Sequence, residues 1–349
     1  MKAKKFFGLL LVLLVLVMAV IPAGCSKKKV LRISMPGEYI DPELLTKFEK
    51  EFDCKIQQDT FDSNEAMYTK LMSGEEYDIL IPSDYMIERL IAEEKLAEID
   101  LKKVPNYENV NPLVKGQAFD PDNKYTVPYF YGTVGIVYDT TVIDEADLAQ
   151  GWNILTNTKY KDKLYMYDSE RDSFMVALKA LGYSMNTTNE TEINAAYDWL
   201  INQRDTMNPI YVCDEVMDSM IAGNKAMAVV YSGDAVAIIS ENEKLAFFEP
   251  DEGTNFWVDG MVMTKECKET DLAYSFMNFI LENENATANT IAVGYTSPIT
   301  EVANKVKNED FADIDCYMPK TSEKNEVFRH QKAEVKAKFA ELWTKVKAH

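Results

Sequence analysis

From residue 77 to residue 85 the chain reads Tyr-Asp-Ile-Leu-Ile-Pro-Ser-Asp-Tyr. A short apolar run that ends at a proline is typical of a strand buried on both faces of a parallel sheet. Ser83 can cap the helix that follows. In open α/β sheets, ligands bind outside the carboxyl ends of the strands. We therefore expect Asp84 and Tyr85 to lie at a binding rim, unless Ser83 only caps the helix and Asp84 only adds charge to its first turn.

Strand-like and helix-like patterns alternate on both sides of this run. Residues 30–34 and 55–61 have strand patterns, and Asp41-Pro42 between them has the cap and the proline that begin a helix. The alternation returns around 163–167 and 227–231. This pattern predicts an α/β fold with a mainly parallel sheet, and two lobes with chain crossings between them fit the chain length.

The amino terminus has the layout of a secretory signal. Lysines at positions 2, 4 and 5 precede an uncharged, almost wholly apolar segment from 6 to 21, and Pro-Ala-Gly-Cys follows. This layout resembles a bacterial lipoprotein signal, in which Cys25 becomes the acylated first residue. An uncleaved membrane helix is the alternative, but the run is short for the ~20 residues that span a bilayer. We predict a signal peptide at 1–24 and a lipid-anchored tether at 25–29.

The charge balance limits the kinds of partner. The chain has 37 basic and 57 acidic residues, a formal net charge of −20. Nucleic acid and anionic lipid surfaces need a basic footprint, and no Lys/Arg block follows residue 29. We therefore predict no nucleic-acid partner and expect a cationic one.

The usual catalytic and cofactor motifs are absent from the sequence. It contains no phosphate-binding glycine loop, no G-x-S-x-G elbow and no H-E-x-x-H, and it has only two histidines. No C-x-x-C pair suggests a zinc site. We predict no enzyme activity, no cofactor and no metal. Either two disulfides or isolated thiols suit the remaining cysteines, Cys54, Cys213, Cys267 and Cys316.

One apolar segment, residues 256–263, carries both an indole and a carboxylate. In a strand, Trp257 and Asp259 face the same side. A buried Asp is costly unless a positive group pairs with it, and an indole face beside a carboxylate suits an ammonium group. The alternative is a core Trp beside an Asp that pairs with a Lys or Arg of the protein.

Two further residues are candidates for the same site. Asp172 precedes a helix that begins near Phe174, so it is either a ligand carboxylate or an N-cap. Tyr39 follows the first predicted strand and so also lies at the rim.

Taken together, several motifs resemble those of the spermidine/putrescine-binding proteins of bacterial ABC transporters. The resemblance covers essentially the whole mature chain. Its marks are Gly37-Glu38-Tyr39-Ile40, Thr60-Phe61-Asp62-Ser63-Asn64-Glu65, the run at 77–85, Phe119-Asp120-Pro121, Val127-Pro128-Tyr129-Phe130-Tyr131-Gly132-Thr133, Leu181-Gly182-Tyr183-Ser184, Phe256-Trp257-Val258-Asp259 and Gly294-Tyr295-Thr296-Ser297-Pro298.

The resemblance implies a two-lobe periplasmic-binding-protein fold of type II, with a ligand cleft between the lobes. We expect lobe 1 at 30–136 plus 262–300 and lobe 2 at 137–261 plus 301–349. The implied function is capture of putrescine or spermidine and delivery to the permease subunits of an ABC importer. The protein would be a monomer on the outer face of the cytoplasmic membrane, or in the periplasm if it is not lipidated.

The resemblance also implies a set of ligand residues, to which Asp84 is added from its place at the rim. Tyr231 stands where the family has a binding Trp. The positions that match the family are Tyr39, Ser83, Tyr85, Asp172, Trp257, Asp259 and Tyr295.

Three positions depart from the family pattern. Pro36 replaces a Trp, Ser169 replaces a carboxylate, and Arg329 falls where a neutral amide reaches the ligand. Either the alignment shifts at Arg329, or its side chain turns away, or the ligand is not the usual triamine. The same fold binding another organic cation, an amino acid or a metal complex remains an alternative, and an exported hydrolase is a more distant one.

Overall fold

The structure, a computed structural model, describes residues 28–213 and 215–348. The strands in these residues are β1 (Val30–Pro36), β2 (Lys55–Phe61), β3 (Ile79–Leu80), β4 (Val127–Asp139), β5 (Leu164–Tyr167), β6 (Ile210–Val212), β7 (Met227–Tyr231), β8 (Leu245–Phe248) and β9 (Phe256–Met263). The helices are α1 (Pro42–Glu51), α2 (Asn64–Met72), α3 (Asp84–Ala92), α4 (Glu170–Ala180), α5 (Glu190–Met207), α6 (Val216–Ile221), α7 (Ser232–Glu241), α8 (Thr270–Ile280), α9 (Asn283–Val293), α10 (Thr300–Glu309) and α11 (Ala333–Lys347).

The predicted signal peptide and Cys25 lie outside the described residues. Within the part that is described, no helix is long and apolar enough to cross a membrane.

The strands follow the order β2-β1-β3-β9-β4-β7-β5-β6, with β8 paired to β4. β1 runs parallel to β2 and β3, and β5 runs parallel to β6 and β7, as the alternating pattern predicts. The centre differs from the prediction, because β9 is antiparallel to both β3 and β4, and β4 is antiparallel to β7. The α/β class is confirmed, whereas the sheet is parallel only toward its two ends.

β4 joins two groups of elements. Its residues 127–133 pair with β9, and its residues 134–139 pair with β7 and β8. We call β1–β3 with α1–α3, α8 and α9 the first lobe, because Phe48 of α1 packs edge-on against Phe276 of α8 at 5.2 Å. We call β5–β8 with α4–α7 and α11 the second lobe, because α11 packs on α4 and α5.

Local signals explain where several helices begin. The Asp41 carboxylate accepts a 2.9 Å hydrogen bond from the Glu43 N–H, and the Ser63 hydroxyl accepts one of 3.2 Å from the Ala66 N–H. Ser83 precedes α3 as predicted, but its side chain makes no capping bond. The Asn64 amide donates to the Ser83 hydroxyl instead, at 3.1 Å, so this serine links α2 to the start of α3.

The cysteines differ in their surroundings. Cys54 and Cys316 are buried, Cys267 is half-buried, and these three are thiols rather than disulfide partners. A fold of this size buries enough apolar surface to be stable without such links.

Candidate ligand-binding site

Four aromatic rings from four separate segments form a row. The Tyr39 and Tyr295 centroids are 5.7 Å apart, Tyr295 and Trp257 are 5.0 Å apart, and Trp257 and Tyr231 are 6.2 Å apart. Each pair meets edge to face, at interplanar angles between 69° and 89°. Aromatic ring faces attract apolar and cationic groups.

Two glycines make room for the central rings. A Cβ on Gly132 of β4 would lie 2.6 Å from the Trp257 indole, and one on Gly233 would lie 2.0 Å from the Tyr295 ring. Neither distance is compatible with a side chain. The ring row therefore depends on two positions where the backbone itself forms the packing surface.

Asp259 lies at the Tyr39 end of the row. Its Oδ2 accepts a 2.6 Å hydrogen bond from the Tyr39 hydroxyl, and its side chain is only 6% exposed. Burial raises the pKa of Asp259 to about 6, although hydrogen bonds from Tyr39 and Ser83 act to lower it. The group that binds Oδ2 is thus a hydroxyl rather than a protein cation. Oδ1 has no hydrogen-bond partner among the described residues.

Asp172 lies at the opposite end, beside Tyr231. The Tyr231 hydroxyl donates a 3.0 Å bond to Oδ2, while Oδ1 has no partner in the described part of the chain. Burial raises the pKa of Asp172. Ser169, rather than Asp172, is the N-cap of α4, since its hydroxyl accepts a bond from the Asp172 N–H at 3.3 Å. The N-cap alternative for Asp172 is therefore wrong.

The two ends of the row have the same construction. A buried carboxylate has one oxygen bound by a tyrosine hydroxyl, and its other oxygen lacks a donor from the described chain. A buried acceptor without a donor costs about 1–3 kcal/mol, and more when it is charged. An ammonium group can supply that donor, together with the charge that compensates the carboxylate.

Asp84 and Tyr85 lie in the first turn of α3, and their hydrogen-bond partners are not members of the ring row. Asp84 is 1% exposed, and its Oδ1 accepts a 2.6 Å bond from the Tyr85 N–H. Burial, together with the charge of Asp259, raises the pKa of Asp84 well above its usual range. The Tyr85 hydroxyl donates to Glu65 at 3.1 Å, and the Arg171 guanidinium carbon lies 3.6 Å from the centroid of the Tyr85 ring.

Arg329 turns toward Glu88 of α3. Its Nε lies 3.0 Å and 3.1 Å from the two carboxylate oxygens of Glu88, and its Nη2 lies 2.5 Å from one of them. Of the three explanations open for this position, the geometry favours a side chain turned aside.

Sequence reasoning missed Asp234. This residue lies in the first turn of α7, and its carboxylate accepts bonds from the Tyr295 hydroxyl at 2.7 Å and the Tyr167 hydroxyl at 3.5 Å. A signal was present, because Asp234 lies three positions after the predicted strand at 227–231 and so close to a strand end. Asp234 adds a third carboxylate to the ring row.

Within residues 28–213 and 215–348, no cluster of three His, Cys, Asp or Glu side chains has a metal-binding arrangement. The Asp120 carboxylate uses both of its oxygens within its own loop, because it accepts the Lys124 and Tyr125 N–H groups at 3.0 and 2.9 Å.

Comparisons with known proteins show the family to which the chain is similar. Residues 43–313 match the family model described as bacterial extracellular solute-binding protein. The spermidine/putrescine-binding periplasmic protein of Salmonella typhimurium is 31% identical over 315 residues, which is 89% of each chain.

Solved structures confirm the predicted two-lobe fold. The substrate-binding protein PotD of a spermidine/putrescine ABC transporter from Streptococcus pneumoniae superimposes with a TM-score of 0.81 at 37% identity, covering 92% of this chain and 99% of that one. The TpPotD lipoprotein of Treponema pallidum superimposes with a TM-score of 0.79 at 26% identity, covering 92% of this chain and 100% of its own.

Proposed function

This chain belongs to the bacterial extracellular solute-binding protein family, a family that binds solutes for transport rather than converting them, and we propose that it captures the polyamines putrescine and spermidine. The observation that carries the proposal is the pair Asp172 and Asp259. They are buried carboxylates at opposite ends of one aromatic row, and each has one oxygen without a donor from the described chain. An aliphatic molecule with an ammonium group at each end matches this arrangement.

The ring row suits the carbon chain of such a ligand. Methylene groups contribute about 0.8 kcal/mol each when they are buried against apolar surface. Each ammonium loses its hydration on entering the cleft, and a carboxylate with neighbouring hydroxyls offsets that cost. After the cost of ordering a flexible ligand, affinity in the micromolar range, about −8 kcal/mol, is reasonable.

The other predicted site residues have supporting roles. We propose that Tyr39, Tyr231, Trp257 and Tyr295 line the carbon chain of the ligand, and that Ser83, Asp84, Tyr85 and Asp234 surround it. The names of the relatives, which include spermidine/putrescine- and putrescine-binding proteins, support this ligand class. An amino acid fits less well, because its carboxylate would enter beside Asp172 and Asp259.

A melting experiment tests the ligand class. Ligand-stripped protein is heated with putrescine, spermidine, glutamate or no addition. Either polyamine is expected to raise the melting temperature, since a ligand that binds only the folded state stabilises it. Glutamate serves as the anionic control. Absence of a shift with every di- and triamine would reject the proposal.

Delivery and anchoring are further parts of the proposal. We propose that the protein is a monomer, passes its ligand to the permease of an ABC importer, and divides into lobes at 30–136 plus 262–300 and 137–261 plus 301–349. The change of partner along β4 supports two lobes.

We propose that Cys25 carries lipid, and a structural relative named a lipoprotein supports this anchor. Metabolic labelling with palmitate, which Cys25→Ser should abolish, tests it.

A further inference from the structure

Two arginines of the second lobe reach across to glutamates of the first lobe. Arg171 of α4 donates to Glu65 of α2, with Nη2 and Oε1 3.1 Å apart. Arg329 binds Glu88 of α3 through two of its nitrogens, at 2.5 to 3.1 Å. The backbone N–H of His330 donates a further 2.6 Å bond to Glu88.

Each arginine is anchored in its own lobe. The backbone N–H of Arg329 donates to the Asn186 side chain at 2.9 Å, and the Asn186 amide donates to the Val327 carbonyl at 2.8 Å. Asn186 follows α4, so this segment is attached to the second lobe. Arg171 is part of α4 itself. Each guanidinium group therefore joins its own lobe to the other one.

The two ion pairs form one connected group. The Arg171 guanidinium carbon lies 3.6 Å from the centroid of the Tyr85 ring and 5.5 Å from that of Phe328, the residue before Arg329. The arginines hold the pKa values of Glu65 and Glu88 below their usual range despite partial burial. Both glutamates are thus charged at neutral pH, and both pairs must separate when the lobes part.

We infer that Glu65–Arg171 and Glu88–Arg329 together form an interlobe clasp that holds the cleft shut and sets how long a bound ligand is retained. Arg329 thereby acts on retention without touching the ligand. Bidentate guanidinium–carboxylate pairs are the stronger kind of surface ion pair, whereas isolated exposed pairs contribute little. Opening is therefore expected to become easier as salt screens the two pairs.

The first test needs no ligand and is independent of the proposed function. The radius of gyration of ligand-stripped protein is measured by small-angle X-ray scattering at about 20 mM and about 500 mM NaCl, a range over which exposed charges become screened. We expect the unaltered protein to expand at high salt, and Glu88→Gln with Arg329→Gln to be expanded already at low salt. An identical radius in all four samples would overturn the clasp.

The second test rests on the proposed function, because it uses putrescine as the probe. Stopped-flow fluorescence gives its dissociation rate. We expect Glu88→Gln and Arg329→Gln each to speed release about three- to tenfold, and the double variant to be no faster than either one, because both remove the same pair. Exchanging the charges, Glu88→Arg with Arg329→Glu, should restore much of the slow release.

A matched control separates the clasp from general surface charge. Glu341→Gln removes a 2.6 Å ion pair with Lys345 that lies within α11, and it should leave release and radius unchanged. Release rates of the clasp variants within twofold of the unaltered protein would overturn the inference. If putrescine does not bind but the radius responds as described, the clasp is supported and the proposed ligand is rejected.

Discussion

The Tyr39 hydroxyl and Asp259 Oδ2 lie 2.6 Å apart, although 220 positions separate the two residues in the chain. The bond links the segment that follows β1 to β9, and it leaves Asp259 Oδ1 without a donor from the described chain. A carboxylate held in this way has a fixed orientation and a remaining acceptor. Oδ1 is therefore the acceptor that an ammonium group can bind.

Removing the charge of Asp259 should abolish most binding. We expect Asp259→Asn to weaken putrescine binding by about 2–5 kcal/mol, because an ammonium would then be desolvated without a counter-charge. Isothermal titration calorimetry measures the change. Asp198→Asn, on the exposed face of α5, is the matched control and should bind like the unaltered protein. Equal affinities for the two variants would exclude Asp259 as an ammonium ligand.

Removing only the Tyr39 hydroxyl should have a smaller effect. Tyr39→Phe keeps the ring in the row but deletes the bond to Asp259, so we expect a loss of about 1–2 kcal/mol in putrescine binding. The pKa of Asp259 should also rise, since this bond acts to lower it. The pH dependence of affinity, measured by the same calorimetry, should shift upward. A profile that coincides with that of the unaltered protein would contradict the prediction.

Lowering the pH through 6 should weaken polyamine binding but raise the free energy of unfolding of the ligand-free protein. The pKa of Asp259 is raised to about 6, so ligand affinity should fall as the pH is lowered through 6 and the carboxylate is protonated. The ligand-free protein should instead lose stability as the pH rises from about 4 to 6. In that window the native carboxyl retains its proton, whereas the unfolded one, with the lower pKa, has released it.

Urea unfolding and calorimetry across this pH range measure the two trends. Asp259→Asn should remove the loss of unfolding free energy that Asp259 causes between about pH 4 and 6. It should also raise the unfolding free energy of the ligand-free protein at pH 8. If stability and affinity rise together with pH in the unaltered protein, Asp259 is not the controlling group.

A methyl group on Gly132 should disrupt the ring row. The Cβ would lie 2.6 Å from the Trp257 indole and 2.5 Å from the Ser232 hydroxyl oxygen. We expect Gly132→Ala to lower the free energy of unfolding by about 1–3 kcal/mol, the usual cost of overpacking, and to weaken ligand binding. Gly37→Ala is the steric control, because its Cβ would meet nothing within 4 Å. Equal unfolding free energies for the two variants would show that the indole is not constrained by β4.

The sequence predicted the elements better than their arrangement. Caps and periodicity are local, and the predicted cap Asp41 indeed begins α1. The antiparallel position of β9 depends on distant pairing, and a short apolar run does not reveal it. The elements β1–β3 and α1–α3 could be predicted from residues 30–92, whereas the antiparallel pairing at the centre of the sheet could not.

In the candidate site, too, local spacing was predictable and contacts between distant positions were not. Trp257 and Asp259 were predictable because their spacing in one strand places them together. The ion-pair partners of the two arginines could not be predicted, since Glu88 lies 241 positions from Arg329 and Glu65 lies 106 positions from Arg171. The role of the Ser83 side chain was also not predictable from its neighbours in sequence, because Asn64 of another helix binds the hydroxyl that we expect to cap α3.

The most direct test is a crystal structure of the protein with putrescine or spermidine bound. We predict one ammonium nitrogen within hydrogen-bond distance of Asp259 Oδ1, another within reach of Asp172 Oδ1, and the carbon chain along the rings of Trp257 and Tyr295. A ligand bound away from both carboxylates, or a cleft that excludes polyamines at saturating concentration, would contradict the account.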